Sequence, residues 1–212
     1  MHIEPGILSS AKIAAANLAA ASLLAVQAPQ LIKKPQLILR TLLAALFFSV
    51  FMQSFHMPAG ASELHFIGAM PIYLTLGFVP TLLGFGLGLL LQGVIFEPAD
   101  LLHLGVNVLS LAVPLVALHL GLGRKLAAGA ATEVKSVLKL DATYYAGVAA
   151  MVGFWLSMGQ VATPFTEWAT FAAAYLPVVL IEPVLTVAVV KLLHSQAHRP
   201  LVQLCFAVPA RG

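Results

Sequence analysis

Met1 and His2 are the residues of this chain best arranged for chemistry. Such a start presents the α-amine, the peptide N–H of residue 2 and the imidazole Nδ1 in succession. With the amide deprotonated, these nitrogens close a five- and a six-membered chelate ring around one metal ion. Fused rings of that size favour a flat nitrogen arrangement, which suits Ni²⁺, Cu²⁺ or low-spin Co²⁺ better than tetrahedral Zn²⁺. A bulky second residue such as histidine protects the initiator methionine. Residues 1–8, MHIEPGIL, carry neither a basic n-region nor an A-x-A cleavage site. The start is therefore expected to persist, although many chains begin Met-His with no metal to bind. Further donors are His56, His65, His103, His119, His194 and His198, with Glu182 alone read as an acid deep in an apolar run.

The elements that must position these groups are membrane helices. The chain is 60% hydrophobic and 9% charged, with mean hydropathy +0.97, beyond what a soluble domain of 212 residues shows. One transmembrane domain is expected over residues 1–212. Cys205 is the only cysteine, which leaves no intramolecular disulfide and no thiolate metal cluster. No basic tract interleaved with aromatics points to nucleic acid. Apolar segments run over residues 8–28, 38–55, 66–78, 80–96, 104–122, 141–160 and 168–192. Most can cross ~30 Å of hydrocarbon as helices. The third is short, and the split near Gly77 and Pro80 carries no charge. A broken or re-entrant helix buried in protein is expected, because irregular backbone is not tolerated against lipid.

Charge orients the bundle. Lys33, Lys34 and Arg40 follow the first segment, Arg124, Lys125, Lys135 and Lys139 the fifth, and Lys191, Arg199 and Arg211 the last. These regions, including a loop over 123–140, are expected to be cytoplasmic. Glu4, Glu63, Glu97, Asp100 and Glu167 fall on the other side, with Lys12 the one basic residue near them. An outside N-terminus with seven crossings fits every segment. This topology gathers His2, His56, His65 and His103 at outer segment ends, where incoming solute arrives. Imidazole suits nickel and cobalt. Each histidine taken singly also fits a plainer role, satisfying loop carbonyls.

Four stretches then resemble the CbiM/NikM family, the substrate-binding membrane components of energy-coupling-factor (ECF) transporters for cobalt and nickel. They are the opening MHIEPGIL; Gly60-Ala61-Ser62-Glu63-Leu64-His65-Phe66-Ile67-Gly68, similar to G-x-S-x-x-H-x-x-G; Leu104-Gly105-Val106-Asn107, similar to L-G-A-N; and Pro177 to Thr186, similar to P-x-x-x-x-E-G-x-L-T. They occur in family order over residues 1–186. The chain departs from the pattern at Phe66, after the motif histidine, and at Pro183, where glycine follows Glu182. His56 and His103 also stand where the family has other residues.

The resemblance implies an all-α bundle in the cell inner membrane, with an N-terminal segment, residues 1–7, threaded into it. The Met1 amine and the His2 amide and imidazole would supply three nitrogens and His65 the fourth, to Co²⁺ or Ni²⁺ as transported substrate. His56, Ser62, His103 and Asn107 are expected to support that shell or line the access path. Ser62 equally fits a helix cap, and Asn107 a bond to neighbouring backbone. No G-x-x-x-x-G-K-[ST] loop is present for ATP. The resemblance therefore implies a CbiQ/NikQ-type transmembrane coupling subunit, CbiO/NikO-type ATPases and often a small auxiliary membrane subunit, for whose fusion the end at Gly212 leaves no room. The alanines of the first segment (Ala14, Ala15, Ala16, Ala19, Ala20, Ala21) fit either docking of the coupling subunit or packing within the chain.

Glu182 lies 15 residues past Glu167, roughly 22 Å down a helix, which reads as too deep for a ligand. His119 reaches similar depth on the fifth segment, so the two are expected to pair. Two rival readings are a membrane metalloenzyme built on His56, His65, His103 and Glu182, and a stand-alone permease. No H-E-x-x-H and no paired inverted repeats support them.

Overall fold

The computed structural model describes residues 6–59, 62–124 and 133–207. The protein is an all-α membrane bundle interrupted by one two-stranded hairpin. Its helices are α1 (Ser10–Gln27), α2 (Pro29–Lys33), α3 (Gln36–Ser54), α4 (Ala69–Leu76), α5 (Phe78–Ile95), α6 (Leu104–Leu118), α7 (Val134–Ser157), α8 (Phe165–Ala174), α9 (Leu176–Ser195) and α10 (Pro200–Cys205). The hairpin strands, β1 (His56–Ala59) and β2 (Ser62–His65), lie between α3 and α4. Five stretches are long and apolar enough to cross a membrane: Ser10–Lys33, Gln36–Ser54, Phe78–Ile95, Leu104–Gly123 and Phe165–Ser195. Helix α7, at 24 residues, is also long enough.

The expected split at Gly77 is present, as a turn between a short crossing that ends in α4 and the crossing of α5. Gly77 takes φ 93°, in the region that only glycine enters freely, and separates α4 from α5. Seven of the eight α4 residues are buried, so its frayed backbone is sheathed in protein. His119 holds the break from outside. Its Nδ1 lies 2.8 Å from the Tyr73 hydroxyl on α4, and its ring stacks at 4.0 Å on Phe78 of α5.

Helices α3 and α5 run parallel. A side chain at Gly84 would meet Ala44, and one at Gly88 would meet Phe48, so rising numbers match rising numbers. The chain between them must therefore return across the bundle. Residues 62–67 can reach about 20 Å extended and α4 about 12 Å as helix, together matching the ~30 Å hydrocarbon core. A half-strand, half-helix crossing was not legible as such, because its strand half reads as a loop.

Two further differences concern α1 and α7. Ile13, Ala16 and Ala20 of α1 are buried, while Ala14, Ala15, Ala19 and Ala21 stay exposed, so the alanine stripe is divided between inward packing and an open face. Close approach of α1 to α6 depends on Gly105, where a side chain would strike the Asn17 backbone. Helix α7 begins at Val134 and buries Val137 and Leu140, so the last part of the stretch read as a loop over 123–140 is helical.

Candidate metal-capture site

The hairpin builds the candidate site. Its register pairs His56 with His65, Met57 with Leu64, Pro58 with Glu63 and Ala59 with Ser62. Residues directly opposite each other in an antiparallel pair share a face. The two imidazoles accordingly stack, centroids 5.9 Å apart and 20° from parallel. They are not equivalent, since His65 is 5% exposed and His56 is exposed. The His65 Nε2 lies 3.4 Å from a Glu63 carboxylate oxygen. Ser62 is buried as well, at the start of β2 rather than at the head of a helix.

The far end of this segment is fixed by backbone. Phe66 N–H donates to the Phe55 carbonyl at 3.0 Å, and Phe66 packs edge-on against Phe51 at 5.4 Å. That contact accounts for a bulky residue after the motif histidine. Gly68, at φ 63°, turns the chain into α4, and a side chain there would run into the Phe51 ring.

His103 and Asn107 stand one turn apart at the start of α6, each 1% exposed. Both His103 ring nitrogens and the Asn107 Oδ1 face no hydrogen-bond partner among the described residues. Burial holds the His103 pKa below its ordinary 6.5, against the opposing pull of Asp100. His103 is therefore a neutral imidazole at pH 7. The same helix start is clamped by Asn17, whose Oδ1 accepts the Gly105 N–H at 2.7 Å.

Met1 and His2 lie outside the described residues. Just after them, the Ile7 carbonyl accepts the Gln160 N–H at 2.8 Å, and Lys12 donates to the Met158 carbonyl at 2.6 Å. The chain is thus tied to the turn after α7 within a few residues of its start. Among the described residues, no group of three or more His, Cys, Asp and Glu is placed to hold a metal ion.

The sequence profile described as "Cobalt uptake substrate-specific transmembrane region" matches residues 2–200. The chain belongs to the CbiM family. Two solved structures are similar in fold. One, described as a transition metal transporter, has a TM-score of 0.71 at 22% identity, covering 95% of this chain and 96% of that chain. The other, described as a truncated transition metal transporter, has a TM-score of 0.73 at 22% identity, covering 94% of this chain and 100% of that chain. No curated protein matches the chain. Membership makes this a metal-uptake membrane component rather than a catalytic enzyme, with partner subunits implied.

One sequence expectation about this CbiM chain is corrected by the geometry. His119 and Glu182 do not pair. The imidazole is taken by Tyr73, with Arg124 donating to its Nε2 at 3.4 Å. Glu182 instead accepts the Met70 N–H at 2.9 Å and the Tyr145 hydroxyl. Helix α4, inserted between them, engages Glu182 at its first turn and His119 at its second.

Glu182 thus meets Met70, five residues past His65. Asp141 and Tyr145, both missed as functional candidates, complete this region. Their signal was present: Asp141, Tyr144 and Tyr145 place polar groups at i, i+3 and i+4, on one face of an otherwise apolar helix.

Proposed function

We propose that this chain is the substrate-capture membrane component of an ATP-driven cobalt or nickel importer. The divalent ion is bound by the Met1 amine, the His2 amide and imidazole, and His65, which together make a four-nitrogen plane. The observation that carries this reading is the buried His65, held in the hairpin face to face with exposed His56 in a chain of the cobalt-uptake family. The tether of Ile7 and Lys12 to the turn after α7 supports it, because a chelating N-terminus needs an anchored stem. Two neutral donors, the amine and imidazole, and one amidate must all shed protons, and a metal makes that favourable inside protein. His56 and His103 act on the access path, with Ser62 and Asn107 steadying the shell. The basic side, with Lys34, Arg40 and Arg124, faces the cytoplasm of the cell inner membrane. There an ECF coupling subunit of CbiQ/NikQ type and CbiO/NikO-type ATPases supply the energy, with a small auxiliary membrane subunit beside them.

The test is one residue placed before Met1. This converts the chelating amine to a planar amide and moves His2 from position two. Protein carrying that extension is purified, loaded and assayed for bound cobalt and nickel, beside the same protein tagged after Gly212. Loss of metal in the first and retention in the second is expected. Full metal content in the extended protein ends the chelate reading.

A further inference from the structure

We propose that Asp141 of α7 and Glu182 of α9 form a membrane-buried acid pair sharing one proton, which Asp141 donates while ionised Glu182 grips the start of α4 and so positions His65. Both residues are 0% exposed, and Asp141 lies one turn before Tyr145, whose hydroxyl donates to Glu182, so it shares the α7 face that meets α9. Two carboxyl groups so placed can bond to each other only if one carries a hydrogen. The surroundings decide which. Glu182 accepts from two donors, the Met70 N–H at 2.9 Å and the Tyr145 hydroxyl. That is the environment of a carboxylate. Neither Asp141 oxygen meets a donor among the described residues, which leaves Asp141 as the acid that carries the hydrogen.

Charge leads to the same assignment. No Lys, Arg or His among the described residues forms an ion pair or hydrogen bond with either acid. Two bare carboxylates in a membrane interior are far costlier than one held by a backbone N–H at a helix start. The groups facing the pair are hydroxyls. Tyr144 and Thr186, one turn along from Asp141 and Glu182, are each 0% exposed and present oxygens without partners among the described residues. They make a polar lining in an apolar bundle. Tyr175 extends it, its ring 4.8 Å from Tyr145. The cluster therefore holds the segment that follows His65 through the Met70 N–H.

Infrared spectroscopy of the whole protein in lipid tests the proton directly. A carbonyl stretch of a protonated carboxylic acid, shifting in D₂O, is expected at neutral pH. It should vanish in Asp141→Asn and move in Glu182→Gln, whose acceptor is uncharged. A spectrum unchanged by Asp141→Asn overturns the shared proton. Metal titration tests the positioning. Asp141→Asn, whose amide donates in place of the proton, should bind Co²⁺ or Ni²⁺ within about threefold of wild type, and Glu182→Ala at least ~tenfold more weakly. Folded Glu182→Ala with wild-type affinity overturns it. If Glu182→Ala does not fold, Glu182→Asp decides: it keeps the charge but falls one methylene short of Met70, and full affinity there refutes the grip. The positioning half rests on His65 being a ligand. His65→Ala run alongside separates the two failures, since normal binding there sinks the ligand reading while the infrared result still decides the proton.

Discussion

Replacing His65 with alanine removes one nitrogen of the proposed plane and leaves the three-nitrogen start whole. The backbone pairing of His65 with His56 and the Phe66–Phe55 bond do not involve the imidazole, so the hairpin should persist. The size of the effect follows from burial. Disturbing a group that merely supports a ligand costs ~10–100-fold in affinity, so removing a donor outright sets tenfold as the floor. At 5% exposure, with buried Leu64 and Ile67 beside it, the vacated position is poorly supplied with water to fill the coordination gap. We therefore expect a loss of roughly 100-fold, about 2.7 kcal/mol. Isothermal titration with Co²⁺ and Ni²⁺ on protein with an untouched N-terminus measures it, and a melting curve confirms folding. His56→Ala, at the exposed partner, should weaken binding by less than ~tenfold, because solvent already reaches that position. A folded His65→Ala protein within threefold of wild type would refute the argument. So would the reversed order, with His56→Ala or His103→Ala unable to bind while His65→Ala binds normally.

Gly68→Ala forces a Cβ into a left-handed φ and against the Phe51 ring, and should cost ~1–3 kcal/mol; thermal unfolding in detergent reads it, and an unchanged midpoint would show that the turn tolerates side chains. Asn17→Ala strips the Gly105 N–H of its acceptor and should destabilise by about 1 kcal/mol, measured the same way. His103, whose folded pKa lies below its unfolded 6.5, binds fewer protons folded than unfolded. Its share of stability is full above pH ~6.5 and declines as pH falls below that value, so His103→Gln should flatten the melting-temperature profile between pH 7 and 5. An identical profile in the variant would contradict the burial of a neutral imidazole.

The fold was readable where composition acts over whole helices. Segments of about twenty apolar residues leave little choice in lipid, and Gly77 with Pro80 marked the split between α4 and α5. The hairpin was not readable. His56-Met57-Pro58-Ala59 has no strand-like alternation, and Pro58 gives up a backbone donor. What makes it a strand is the company of β2 and of α8, which packs over both strands, and tertiary partners of that kind leave no periodic trace.

The site divides along the same line. His65 was named through the family resemblance, whose motif places it locally between Ser62 and Gly68. Glu182 was correctly singled out as an expensive acid in an apolar run, but its partner was chosen by counting helical rise on two continuous helices. That arithmetic fails here because one crossing is not a continuous helix. Extended residues advance about 3.3 Å each against 1.5 Å for helical ones, so a donor on the strand half travels inward twice as fast as its sequence offset suggests. Met70, five residues past His65, thereby reaches Glu182. His119, assigned to the same depth, is used instead to hold the two halves of the break through Tyr73 and Phe78. Helix α4 starts inside the bundle, its first N–H groups need an acceptor there, and Glu182 supplies one to Met70.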